Sequence, residues 1–113
     1  MPKRNDSLLI KDIKDAISEI FLFVRGIDTF EQFINDAKTK AAVVRNLEII
    51  GEGAKLVSEN TKITNPLIEW KNMSLLRNKL IHEYFGIDYE IVWRTIHEDL
   101  PYNYELLQYI QIL

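Results

Sequence analysis

Apolar residues recur along this chain at alternating three- and four-residue steps. Ile10, Ile13, Ile17, Ile20 and Val24 form one series, and Val43, Leu47, Ile50, Ala54 and Val57 form another. Such steps keep side chains on one face of a 3.6-residue helix. The spacing therefore predicts two long amphipathic helices, the first ended by Gly26 in the position of a C-terminal cap. Between them, Asp28 or Thr29 can cap a short helix carrying Phe30 and Phe33. Asn65-Pro66 reads as the next start, a cap residue followed by proline at the first helical position. That helix is expected to run through Trp70, Met73, Leu76 and Leu80 to about Phe85, where Gly86 stops it. Asp88 caps a last segment with Ile91, Val92 and Ile96, which Pro101 should kink or break. Tyr104, Leu107 and Ile110 carry the stripe onward. No alternating strand pattern bounded by turn residues stands out.

The expected fold is all-α: an up-and-down bundle of four long helices, with a short extra helix near residues 29–36. Gly51 and Gly53 sit inside the second stripe, where glycine weakens a helix. A glycine there marks either a close approach of another backbone or a tolerated defect.

Composition narrows the classes. The chain has 113 residues, 47% hydrophobic, which suits one folded domain spanning residues 1–113 and excludes a disordered chain. Cysteine is absent, so disulfides, thiolate metal sites and cysteine catalysis are excluded. No apolar run approaches the roughly 18 residues of a membrane span, and the first residues lack the apolar stretch of a signal peptide. The expectation is a soluble cytoplasmic protein without a membrane partner. The net charge is −3, whereas proteins that bind nucleic acid over their whole surface are usually basic. Any nucleic-acid role must come from a local patch; Lys71, Arg77 and Lys79 supply a modest one.

The chemistry concentrates between Arg77 and Tyr84. Arginine fits phosphate oxygens bidentately, and histidine moves protons near neutral pH. A catalytic pair would divide the work accordingly. His82 would take a proton from a ribose 2′-hydroxyl or give one to the leaving 5′-oxygen. Arg77 would hold the phosphate and stabilise transition-state charge. Asn78 could orient substrate or a partner side chain. No metal or cofactor is needed, and His97-Glu98 lacks zinc-site spacing. On one straight helix Arg77 and His82 would point about 140° apart. A long arginine reaching round, a π-type widening or a second subunit would reconcile them. The spacing alone equally fits a surface charge beside a polar structural residue. Arg45, Glu48 and Glu52 share a face of the third helix, either as an exposed salt-bridged surface or as a polar wall whose carboxylate orients His82 or Arg77.

Arg77, four residues, His82, one residue and Tyr84 resemble the Arg-x4-His-x-Tyr signature of the HepT-like toxins of the HEPN superfamily. The similarity is wider than the motif. It takes in Trp70 to Trp93, Arg45 to Glu52 upstream and Asp99-Leu100-Pro101 downstream. Gly53 departs from it, standing where many relatives have alanine. The resemblance implies a four-helix bundle forming a symmetric homodimer. It also implies a metal-independent endoribonuclease whose Arg77 and His82 face each other across the dimer cleft. It further implies a toxin–antitoxin pair, in which a minimal nucleotidyltransferase antitoxin transfers AMP to Tyr84 and silences RNA cleavage. The other function in view is a non-catalytic helical subunit that binds such a nucleotidyltransferase.

Overall fold

A computed structural model describes residues 5–82 and 86–112 of the chain, with the backbone alone for residues 79–82. The first helix, α1 (Asp6–Phe23), starts where the Asn5 side chain accepts from the Leu8 N–H. It ends at Phe23 with Val24 as its C-cap, so the predicted Gly26 is not the cap itself but lies two residues on, in the following turn, at φ +84°, a left-handed conformation that only glycine adopts without strain. Thr29, rather than Asp28, caps α2 (Phe30–Ile34) and forms a reciprocal capping box with Gln32. The twenty-residue α3 (Ala37–Leu56) follows, capped by Asp36. Both predicted apolar stripes are buried, except that Val24, at the end of the first, is only partly so. Ile13, Ile17 and Ile20 of α1 and Val43, Leu47 and Ile50 of α3 belong to one core, which also takes in Met73, Leu76, Val92 and Leu107.

The segment after α3 differs from expectation. Ser58 caps an additional short helix, α4 (Glu59–Thr64), and Asn65 closes it rather than starting a new one. The Asn65 amide is committed elsewhere, donating to the carbonyls of Thr61 and Gln111 and accepting from the Gln111 N–H. With its oxygen occupied it cannot cap, and the next helix, α5, starts four residues beyond Pro66 (Trp70–Ser74). Its N-cap residue, Glu69, makes no side-chain cap of its own. The cap comes from the last helix. The buried Asn103 side chain accepts from the Glu69 N–H at 2.9 Å and donates to the Glu69 carboxylate and to the Asp99 carbonyl. Leaving such a buried group unmet costs about 1–3 kcal/mol.

A break at Leu75 separates α5 from α6 (Leu76–Leu80). The helix predicted to reach Phe85 then gives way to backbone pairing. Strand β1 (Ile81–His82) runs antiparallel to β2 (Gly86–Ile87), with Ile81 opposite Ile87 and His82 opposite Gly86. Gly86 sits at φ +77°, a left-handed conformation that suits glycine. Residues 83–85, on which the end of the predicted helix falls, lie outside the described residues.

Asp88 caps α7 (Tyr89–Arg94) as expected, accepting from the N–H groups of Glu90 and Ile91. Pro101 does not break this last helix. One π-helical turn, Thr95–Asp99, leads into α8 (Leu100–Leu107), and the Leu100 N–H reaches back five residues to Thr95. Proline lacks an N–H, and its ring presses on the carbonyl four residues earlier. The wider turn accommodates that ring, so the helical course continues.

Contacts along the chain show the packing. Asp6 meets Ser58 and Ile13 meets Gly53, so α1 and α3 run antiparallel. Asn65 meets Gln111 and Glu69 meets Asn103, which sets the α5 end against the C-terminal helix. The Asp6 carboxylate accepts from Ser58 and Thr61, tying the start of α1 to the α3–α4 joint. Burial opposes its ionisation, but those hydrogen bonds and the nearby Lys62 charge outweigh it and hold Asp6 below the usual carboxylate range.

Candidate functional site

Arg77 and Asn78 lie in α6, and both are exposed. His82 lies beyond the end of that helix, in β1, opposite Gly86. The angular objection to the pair assumed one straight helix through both residues. The change from helix to strand after Leu80 removes that assumption, so the 140° separation does not apply. The π-turn that does occur lies 13 or more residues past His82, at Thr95–Asp99. Tyr84 lies outside the described residues.

Arg45 and Glu52 both stand exposed on α3. Arg45 pairs with Glu48 at 3.7 Å, with side chains 71% and 40% exposed. An ion pair this open to solvent is worth about 0–1 kcal/mol, so it shapes the surface more than it stabilises the fold. Helix α3 reaches the motif at a different residue. A Cβ built on Gly51 would lie 3.2 Å from the Met73 carbonyl, 3.8 Å from that of Ser74 and 4.0 Å from the Arg77 nitrogen. Of the two readings open for a glycine in this stripe, close backbone approach is the one observed at Gly51. Three residues back, Glu48 lies about 60° round the helix from Gly51, nearer the α5–α6 side than Glu52 at about 100°.

The far side of the hairpin is anchored by aromatic packing. Tyr89, two residues past β2, packs edge-on against the fully buried Phe33 at 6.2 Å between ring centres. The Lys40 ammonium sits 4.7 Å from the Tyr89 ring centre. Trp93 contacts Phe33, Phe30 and His97. The His97 ring donates from Nδ1 to the Trp93 carbonyl at 2.8 Å, one helical turn back. That bond holds the His97 ring against its own helix. Among the described residues no three His, Asp or Glu side chains converge as metal ligands, and no helix is long and apolar enough to cross a membrane.

The family model described as "Ribonuclease HepT-like" matches residues 13–110. The chain belongs to the ribonuclease HepT-like family. A probable ribonuclease HepT from Thermococcus cleftensis is 46% identical to this HepT-like chain over 99 residues, covering 88% of it and 89% of the relative. A candidate RNase from Methanocaldococcus jannaschii is 42% identical over 101 residues, covering 89% and 83%. A candidate RNase from Caldanaerobacter subterraneus is 44% identical over 78 residues, 69% of each chain. No solved structure matches the chain. The resemblance carried by Arg77, His82 and Tyr84 is thus a family membership extending over most of the HepT-like chain.

Proposed function

We propose that this protein is an endoribonuclease that cleaves RNA without a metal ion, as a homodimer, and serves as the toxin of a toxin–antitoxin pair. The observation that carries the proposal is that the family match at residues 13–110 takes in Arg77, His82 and Tyr84 together. In the reaction, His82 removes the proton from a ribose 2′-hydroxyl. The 2′-oxygen attacks the adjacent phosphorus, and the bond to the 5′-oxygen breaks as that oxygen takes up a proton. Arg77 holds the phosphate and stabilises the charge that builds on its oxygens. The products are a 2′,3′-cyclic phosphate end and a 5′-hydroxyl end. Asn78, beside Arg77, orients the substrate or a side chain of the second subunit, which brings its own Arg77 and His82 to the cleft. Arg45 and Glu52 form a polar flank to that cleft.

The test is incubation of the purified dimer with a defined RNA in EDTA. Cleavage with cyclic phosphate ends is the expected result. Absence of cleavage by protein of unmodified intact mass would point instead to a non-catalytic subunit of a nucleotidyltransferase.

The antitoxin in this proposal is a small nucleotidyltransferase. The Tyr84 oxygen attacks the α-phosphorus of ATP, pyrophosphate leaves, and AMP remains on the phenol. The added phosphate competes with RNA phosphate for Arg77. Tyr84→Phe is therefore expected to keep its ribonuclease activity and to gain no AMP mass (about 329 Da per site) when incubated with the antitoxin and ATP. AMP found on that variant would place the acceptor elsewhere.

A further inference from the structure

We infer that Gly51 is a positioning residue for Arg77, acting by letting α3 press against the break between α5 and α6; this rests on the ribonuclease reading above. The break is well defined. Helix α5 ends at Ser74, the Leu75 N–H turns back to the Lys71 carbonyl at 3.1 Å, and α6 begins at Leu76. The Ser74 hydroxyl donates to the same Lys71 carbonyl at 2.8 Å. Arg77 is the second residue of α6, so the direction taken by α6 at the break sets where its guanidinium begins.

The surroundings of Gly51 are backbone on both sides of that break. The nearest atoms to a built Cβ are the last two carbonyl oxygens of α5 and the amide nitrogen of Arg77 itself. A side chain can turn aside, but a carbonyl within a helix end moves only with its helix. At 3.2 Å from the Met73 oxygen, a methyl group would have to push α5 and α6 from α3 by a few tenths of an ångström. A catalytic group displaced by about 1 Å loses on the order of 10²-fold in rate, so a shift of this size should lower kcat about tenfold.

Gly53, two residues on, provides the contrast. Its built Cβ would meet the Ile13 side chain of α1, at 2.8 Å from Cγ1, with no atom of α5 or α6 among its nearest neighbours. Overcrowding there strains the α1–α3 packing and leaves the Arg77 end of the molecule alone.

The experiment is steady-state RNA cleavage by wild type, Gly51→Ala and Gly53→Ala, with melting curves and oligomeric mass for each. Gly51→Ala should lose about tenfold in kcat with KM nearly unchanged. Gly53→Ala should melt a few degrees lower and keep its kcat. Equal kcat for Gly51→Ala and wild type would overturn the inference, as would a parallel loss in both variants. If Gly51→Ala fails to fold, Ser74→Ala decides, because it loosens the same break without adding an atom to α3. A fall in kcat at constant KM then supports the positioning role, and an unchanged kcat rejects it. An inactive wild type would instead reject the ribonuclease reading itself.

Discussion

His82→Ala and Arg77→Ala are each expected to cut the rate of RNA cleavage by about 10²–10⁴-fold while helix content and oligomeric mass stay as in the wild type. The range follows from what each side chain supplies. A positioned general acid–base contributes about 10²–10⁴-fold. Removing one preorganised donor from a developing charge costs about 10²–10³-fold. Arg77 is exposed on α6, and a substitution at such a position leaves stability within about 0.5 kcal/mol. Lost activity with retained folding is therefore a clean outcome for Arg77→Ala. Arg77→Lys should recover only part of the rate, because an ammonium keeps the charge but lacks the planar fork. The double variant should be little worse than the worse single one, since groups acting in one step are not additive. Wild-type rates in Arg77→Ala would remove the arginine from the chemistry. Monomeric or molten variants would mean that the motif builds an interface.

Phe33→Ala is expected to have the largest effect on stability. Phe33 is fully buried and is among the largest side chains of the core. Its ring meets Tyr89 and Trp93, joining α2 to α7 just after the hairpin. Truncating a buried phenylalanine costs about 3–5 kcal/mol, which for a domain of this size lowers the melting midpoint by about 10–20 °C. Phe30→Ala, at a half-buried position on the same short helix, should lose clearly less. A shift below about 3 °C for Phe33→Ala would mean that α2 is not part of the cooperatively melting core.

The long helices were legible because burial imposes their period. Ile13, Ile17, Ile20, Val43, Leu47 and Ile50 could be chosen as core from spacing alone, and they are buried. Asn65-Pro66 misled because a capping side chain is recognised by type, whereas its actual bonds to Thr61 and Gln111 depend on residues brought close only by folding. The strands β1 and β2 were invisible because two pairs are too few to show alternation. Pro101 carried its usual helix-breaking signal, but the π-turn at Thr95–Asp99 just before it accommodates it. Of the candidate site, the Arg77–His82–Tyr84 spacing carried the family. What spacing could not show was the change from helix to strand between Arg77 and His82, or which backbone faces Gly51.

The cap that Asn103 places on Glu69 also constrains the order of events during folding. Helix α5 has five residues, far below the roughly 12–15 at which an isolated helix becomes marginally stable in water. Its first turn is completed by a side chain 34 positions away. A contact so distant in sequence forms only after the entropy of closing the intervening loop has been lost. The segment leading into Arg77 is therefore expected to acquire its final shape only once α8 docks.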